Sequence, residues 1–240
     1  MANGLEALKA MEYPGRVIII GKSPVGDDIV LYAITGRSPS SQARRLEVDE
    51  QQKHVYVKPT DEETLKTGQV DLLVYSAIMC ENGIVVGNGK QTSDINASMD
   101  KSKCPAQVLV EGQMKWEYEP DEPNYTPRIS GCITNRGASL SVLKRGDNGG
   151  VVRNILGVDC AAGTGKMIAT YTGANEKPLP SFTGEPLDVE LPWSDAWQCV
   201  EAMYEALGPA EGKPDYRVSA ACAFADPGGK VTLRVKNRHG

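Results

Sequence analysis

The chain has 240 residues, of which 40% are hydrophobic and 24% charged, the composition of a globular protein with one large core or two small ones. A formal charge of −5, with no long basic run, excludes general nucleic-acid binding but leaves room for a small anion held by a local group of arginines. No apolar stretch is long enough to span a bilayer, and Met1-Ala2-Asn3-Gly4 does not open a secretory signal, so the expected location is the cytoplasm, with no membrane contact.

Residues 1–14 read as a polar extension ending at Pro14-Gly15. The apolar run Val17-Ile18-Ile19-Ile20 and the segment 29–34, separated by the turn around Pro24-Val25-Gly26-Asp27, predict an antiparallel hairpin. One short strand is expected near 54–57 and a longer one over 70–79, followed after Glu81-Asn82-Gly83 by a strand at 84–86. Ser102 or Asp100 is the expected cap of a helix carrying Pro105 and Val108. A second helix starts at Ser194, buries Trp197, Val200, Met203 and Tyr204, and stops at Gly208. Further strands are expected at 128–134, 138–144, 151–158, 166–171, 217–224 and 230–236, the last two joined by Asp226-Pro227-Gly228-Gly229. About ten strands with two or three helices and mostly hairpin links give an α+β domain with antiparallel sheets covered on both faces.

Two stretches carry polar chemistry. Thr35-Gly36-Arg37-Ser38-Pro39-Ser40-Ser41-Gln42-Ala43-Arg44-Arg45 concentrates hydroxyls and guanidinium groups, the donors a phosphate needs, although such loops are also common solvated surface. Glu119-Pro120-Asp121-Glu122-Pro123-Asn124-Tyr125-Thr126-Pro127-Arg128 places carboxylates, an amide and an arginine on a connection stiffened by three prolines. Asn88, between Gly87 and Gly89, is a tight turn that could also present its amide to a ligand.

Other chemistries are poorly supplied. Gly163-Thr164-Gly165-Lys166 lacks the first glycine and the final hydroxyl of a phosphate-binding Walker loop. With His54 and His239 as the two histidines, a Ser-His-Asp triad has little to work with. The six cysteines are scattered, without Cys-x-x-Cys spacing, and read as reduced thiols with no metal centre expected.

Taken in order, Tyr13-Pro14-Gly15-Arg16, Tyr32-Ala33-Ile34-Thr35-Gly36-Arg37-Ser38, Asn88-Gly89-Lys90-Gln91-Thr92, Asn124-Tyr125-Thr126-Pro127-Arg128-Ile129 and Ala169-Thr170-Tyr171-Thr172-Gly173 resemble the archaeal-type IMP cyclohydrolase family. Pro180-Ser181-Phe182-Thr183-Gly184-Glu185-Pro186 extends the match, which spans roughly 13–190. The family's arginine loop usually reads Ser-Ser-Arg-Ser-Phe-Pro-Asn-Arg; this chain has small residues in place of the aromatic.

The resemblance implies a four-layer αββα sandwich like that of N-terminal-nucleophile hydrolases, in a single domain over 1–240 with an extension at 1–12. It implies ring closure of formamidoimidazole-carboxamide ribonucleotide (FAICAR) to IMP with loss of water, a purine ribonucleotide as partner and no cofactor or metal; a homo-oligomer is left open. A non-catalytic purine-nucleotide binder and an N-terminal-nucleophile amidohydrolase are the alternatives. Carried onto this sequence, Arg37 and Arg44 (or Arg45) with Ser38 would bind the phosphate or a developing oxyanion. Tyr75 would donate to the formyl oxygen or the leaving water, and Asn88, with Gly89, would hold the carboxamide. Glu122, or else Asp121, would be the general base, with Asn124, Thr126 and Arg128 ordering that segment or touching the nucleotide.

Overall fold

The apolar runs at 17–20 and 29–34 pair as β1 (Arg16–Lys22) and β2 (Asp28–Thr35) in the middle of a six-stranded sheet. The computed structural model describes residues 5–239. The first sheet is completed by β10 (Thr164–Ala169) and β11 (Leu187–Glu190) beside β1, and by β12 (Arg217–Ala225) and β13 (Val231–Asn237) beside β2. A seven-stranded meander forms the second sheet in sequence order: β3 (Arg44–Val48), β4 (His54–Pro59), β5 (Ser76–Met79), β6 (Ile84–Gly87), β7 (Arg128–Thr134), β8 (Gly137–Arg145) and β9 (Val151–Val158). Every neighbouring pair is antiparallel, so short turns suffice as links. The molecule is α+β, with two antiparallel sheets and few helices.

The central strands are apolar without alternation because both of their faces are covered. Ile18, Ile19, Ile20, Ile29, Leu31 and Ile34 are wholly buried, each contributing about 1.5–3 kcal/mol of transfer free energy. α7 (Ala196–Ala206) packs on β2, β12 and β13, whereas α5 (Gln91–Ala97) and α6 (Pro105–Gln113) pack on strands of the second sheet. The sheets meet where β1 approaches β7 and β2 approaches β6. Val85, Ile95, Val108, Leu109 and Cys132 form a smaller apolar cluster under α5 and α6. Among the described residues no helix is long and apolar enough to cross a membrane, and all six cysteines are unpaired.

Several sequence expectations are corrected. Residues 1–4 of the extension lie outside the described residues, but the rest is not merely polar: α1 (Glu6–Lys9) and the residue before it deliver Leu5 and Leu8 into the core. The expected strand over 70–79 is divided: a helical turn at α4 (Val70–Leu73) comes first, and β5 follows, with the Tyr75 carbonyl already accepting from the Val57 N–H of β4. Two short helices, α2 (Pro39–Gln42) and α3 (Glu62–Lys66), and the strands β3 and β11 were not anticipated. Nor was α5, whose seven residues follow the Asn88-Gly89 turn directly.

The helix caps also move. α6 is preceded by Cys104, while the Asp100 carboxylate accepts instead from the Ser102 N–H. In α7 the cap is Asp195, which accepts from the N–H groups of Trp197 and Gln198. Trp197, in the first turn, faces outward and is 51% exposed, so it is not core, whereas Tyr204 is.

Candidate functional site

Antiparallel pairing brings the starts of β1, β3, β7 and β12 to the same end of the molecule as the finishes of β2 and β10. A cleft of about 650 Å³ opens there, lined by Arg16, Arg37, Glu119, Asp121, Thr126 and Tyr171 among others. Its geometry begins at Tyr13-Pro14-Gly15. Gly15 has φ +76°, and a Cβ there would lie 2.1 Å from Thr170 Oγ1, so a glycine lets the chain fold tightly onto β10. The Arg16 N–H then donates to Thr170 Oγ1 at 3.1 Å, which fixes where the Arg16 side chain starts.

The outer rim comes from the loop after β2. Ser38 caps α2 by accepting from the Ser41 N–H. Arg37 is pre-positioned: its guanidinium donates to Asn175 Oδ1 at 2.8 Å and lies 4.9 Å from the centre of the Tyr13 ring. Tyr13 packs in turn on Tyr171 and Tyr216. Ser40, Ser41 and Lys177 complete a rim of hydroxyls and cations.

The inner wall is buried and charged. Glu119 is 2% exposed, and its Oε1 has no hydrogen-bond partner. Burial pushes its carboxyl up to about 7; the positive charges of Arg16 and Arg128 oppose that rise, Asp121 adds to it, and Arg44 opposes it. Arg44 is almost wholly buried: its Nε donates to Ser41 O, and both terminal nitrogens lack partners. Burial, then the neighbouring Arg16, push Arg44 down to about 10. Arg45 turns outward to Glu47, so Arg44 is the arginine that belongs to the site region. The Tyr32 and Tyr75 hydroxyls share a 2.6 Å hydrogen bond beside these arginines, and burial raises Tyr32 well above the ordinary phenol range, keeping it protonated at neutral pH. Five of the six unpartnered buried side-chain atoms among the described residues belong to Arg16, Arg44, Glu119 and Arg128. Such atoms are costly unless a ligand completes them.

The sequence-predicted residues divide by position. Arg37, Ser38, Asp121, Asn124 and Thr126 line the cleft. Tyr75, Arg44 and Arg128 stand behind its lining, in the electrostatic surroundings of Arg16 and Glu119. Asn88 is not placed to hold a ligand: its amide donates to Pro127 O, and its oxygen accepts from Gln91 Nε2 and the Ile129 N–H. That carboxamide is used in bracing the entry to β7. Gly89 instead clears space for Arg128.

Glu122 is exposed and outside the cleft lining, which is a correction to its expected role. The connection folds back so that the Glu119 N–H donates to Thr126 O, and this turns Glu119 rather than Glu122 inward. Asp121 braces the turn by accepting from the N–H and hydroxyl of Thr126, whose hydroxyl also meets Tyr171. Tyr125 sits at φ +46° within this turn, a strained left-handed conformation for a non-glycine residue of the kind concentrated at functional sites.

Arg16, Glu119, Tyr171 and Asn175 were missed. Arg16 and Tyr171 lie within the motifs that carry the family resemblance, and Glu119 opens the proline-rich stretch. A charge directly before an apolar run, as Arg16 stands before 17–20, is the local signal the sequence offers for the first of them.

A buried carboxyl among arginines opens to a rim of hydroxyls and cations, donors of the kind that suit an anion. The family described as IMP cyclohydrolase-like protein matches residues 13–229, and the chain belongs to it. It is 34% identical to an IMP cyclohydrolase of Methanopyrus kandleri over 118 residues, 49% of this chain and 57% of that protein. It is 28% identical to one from Methanococcus maripaludis over 177 residues, covering 72% of this chain and 82% of the relative. A Halobacterium salinarum IMP cyclohydrolase matches at 26% over 136 residues, 56% of this chain and 64% of that protein. The matched region thus spans little more than half of the Methanopyrus protein.

Proposed function

We propose that this protein is an IMP cyclohydrolase, closing FAICAR to IMP with release of water. The observation that carries the reading is the set of unpartnered buried atoms on Arg16, Arg44, Arg128 and Glu119 around the cleft, in a chain whose relatives are named for that reaction. The contacts of α7 on one sheet, of α5 and α6 on the other, and of the sheets with each other support a four-layer αββα arrangement of the N-terminal-nucleophile type. The match over 13–229 supports a single catalytic domain.

The reaction is intramolecular: the carboxamide nitrogen forms a bond to the formyl carbon, and that carbon loses its oxygen as water. Holding the two groups in contact supplies much of the acceleration. Two protons leave with that oxygen. Glu119, near neutral in proton affinity, takes one from the carboxamide nitrogen and passes it to the oxygen. It then takes the second from the formamido nitrogen, which forms the new C=N bond as the hydroxyl receives that proton and departs as water. Arg16 faces the oxygen that becomes anionic, with the charge of Arg44 and the paired hydroxyls of Tyr32 and Tyr75 behind it. Arg37, Ser38, Ser41 and Lys177 at the wetter rim suit the 5′-phosphate, while Asn124 and Thr126 bound the sugar. Every assigned step uses side chains of this chain.

The test is turnover of FAICAR, followed by the ultraviolet change on purine formation, in wild type and Glu119→Gln. Turnover that collapses in the variant supports the reading. Thermal stabilisation by IMP without turnover would leave a nucleotide-binding protein instead, and neither response would remove the purine reading.

A further inference from the structure

Arg128 does not line the cleft, although it is 6% exposed and its NH1 lies 3.6 Å from Glu119 Oε1. That distance is too long for a hydrogen bond, and Glu119 Oε1 and Arg128 Nε are both without partners. The two groups therefore act on each other through charge alone, and nothing between them fixes their separation.

What fixes Arg128 is a second set of contacts, one of them made by the same NH1. Its NH1 donates to Gln91 Oε1 at 3.1 Å, and Gln91, wholly buried, donates from Nε2 to Asn88 Oδ1 at 3.0 Å. Its guanidinium carbon sits 4.7 Å from the centre of the Trp116 ring, within cation–π range. The ring is itself anchored, with Nε1 donating to Asp94 Oδ2 at 2.7 Å. Gly89 completes the recess: a Cβ there would lie 2.5 Å from NH1 and 2.6 Å from Gln91 Oε1, so any other residue would displace the guanidinium or its acceptor.

We infer that Trp116 and Gln91 are positioning residues, clamping Arg128 so that its charge stands at a set distance from Glu119 and fixes the proton affinity of that carboxyl. The inference rests on the reading of Glu119 as the proton carrier. The other charges facing Glu119 are Arg16 from β1, Arg44 from β3 and Asp121 on its own connection, and the clamp touches none of them. Attraction falls as the inverse of distance, so an outward drift of Arg128 by about 1.4 Å weakens it by roughly a quarter. A weaker attraction favours the protonated carboxyl and moves its midpoint upward.

The experiment titrates Glu119 directly, by carbon-13 NMR of protein labelled at the glutamate carboxyl carbons, without nucleotide, the resonance being identified by its loss in Glu119→Gln. Arg128→Gln gives the largest upward shift, about one pH unit or more. Trp116→Leu and Gln91→Met, two independent ways of loosening the clamp, each raise the midpoint by on the order of a quarter of a unit. Trp116→Phe, which keeps the ring face, stays near wild type. Unchanged midpoints in both loosening variants would overturn the inference, as would a shift in Trp116→Phe equal to that in Trp116→Leu. The acid limb of the FAICAR turnover profile should move with the NMR midpoint. A moving midpoint in a protein that turns over no FAICAR upholds the clamp and removes the catalytic reading, so the two failures are distinct.

Discussion

Glu119→Gln isolates one buried titration and gives a stability effect with a definite sign. The native carboxyl titrates at about 7, up from an ordinary value of 4.5, with burial as the leading cause. Between those values the folded protein holds a proton that the unfolded chain has released. The unfolded state thus binds fewer protons, and stability falls as pH rises through this window. With both values in the linkage relation, wild type should lose roughly 2.5 kcal/mol between about pH 5 and pH 8 that the variant does not lose. The comparison must be a difference, so that other titrations cancel, including carboxyls that slope the opposite way at lower pH. Asp215 is drawn below its ordinary range because hydrogen bonds and charge from Arg217 outweigh its burial, and that contribution is common to both proteins. Urea unfolding of each protein across this range gives the difference curve. A flat curve would mean that Glu119 is ionised throughout. Arg16 and Arg128 would then outweigh burial, and the picture of a carboxyl poised near neutrality would be refuted.

Three further outcomes follow from the same geometry. Arg37→Ala removes a pre-positioned guanidinium at the rim, and a charged hydrogen bond of about 1.5–3 kcal/mol corresponds to a rise in KM for FAICAR of roughly 10- to 100-fold; steady-state kinetics should show kcat much less affected. Asn88→Ala strips the brace from Pro127 O and the Ile129 N–H and should cost about 2–4 kcal/mol in urea unfolding, several buried partners being left unsatisfied. Leu8→Ala, within a segment that reads as a polar extension, should cost about 2–5 kcal/mol because Leu8 is wholly buried; a change below about 0.5 kcal/mol would mean that this helix does not share the core.

By itself the sequence determined the elements whose signals are local. The hairpin of β1 and β2, the turns at Gly83 and Asp226-Pro227-Gly228-Gly229, the span of β9 and the helix stopped by Gly208 all follow from apolar runs bounded by turn residues, and the structure has them there. It also marked the loop at 35–45 and the connection at 119–128 as chemically rich. Only the tertiary structure decided which groups within them face inward. Glu119 and Glu122 share one proline-rich stretch, and the fold-back of Glu119 onto Thr126 sends the first into the cleft and leaves the second in solvent. Adjacent Arg44 and Arg45 are separated by the pleat of β3, one buried beside Arg16 and one paired with Glu47. Asn88 looked like a ligand group because an amide both donates and accepts, but backbone groups of a strand forty residues away use that capacity. Burial and long-range partners set proton affinity and hydrogen-bond satisfaction, and neither is a property of a residue's neighbours in sequence.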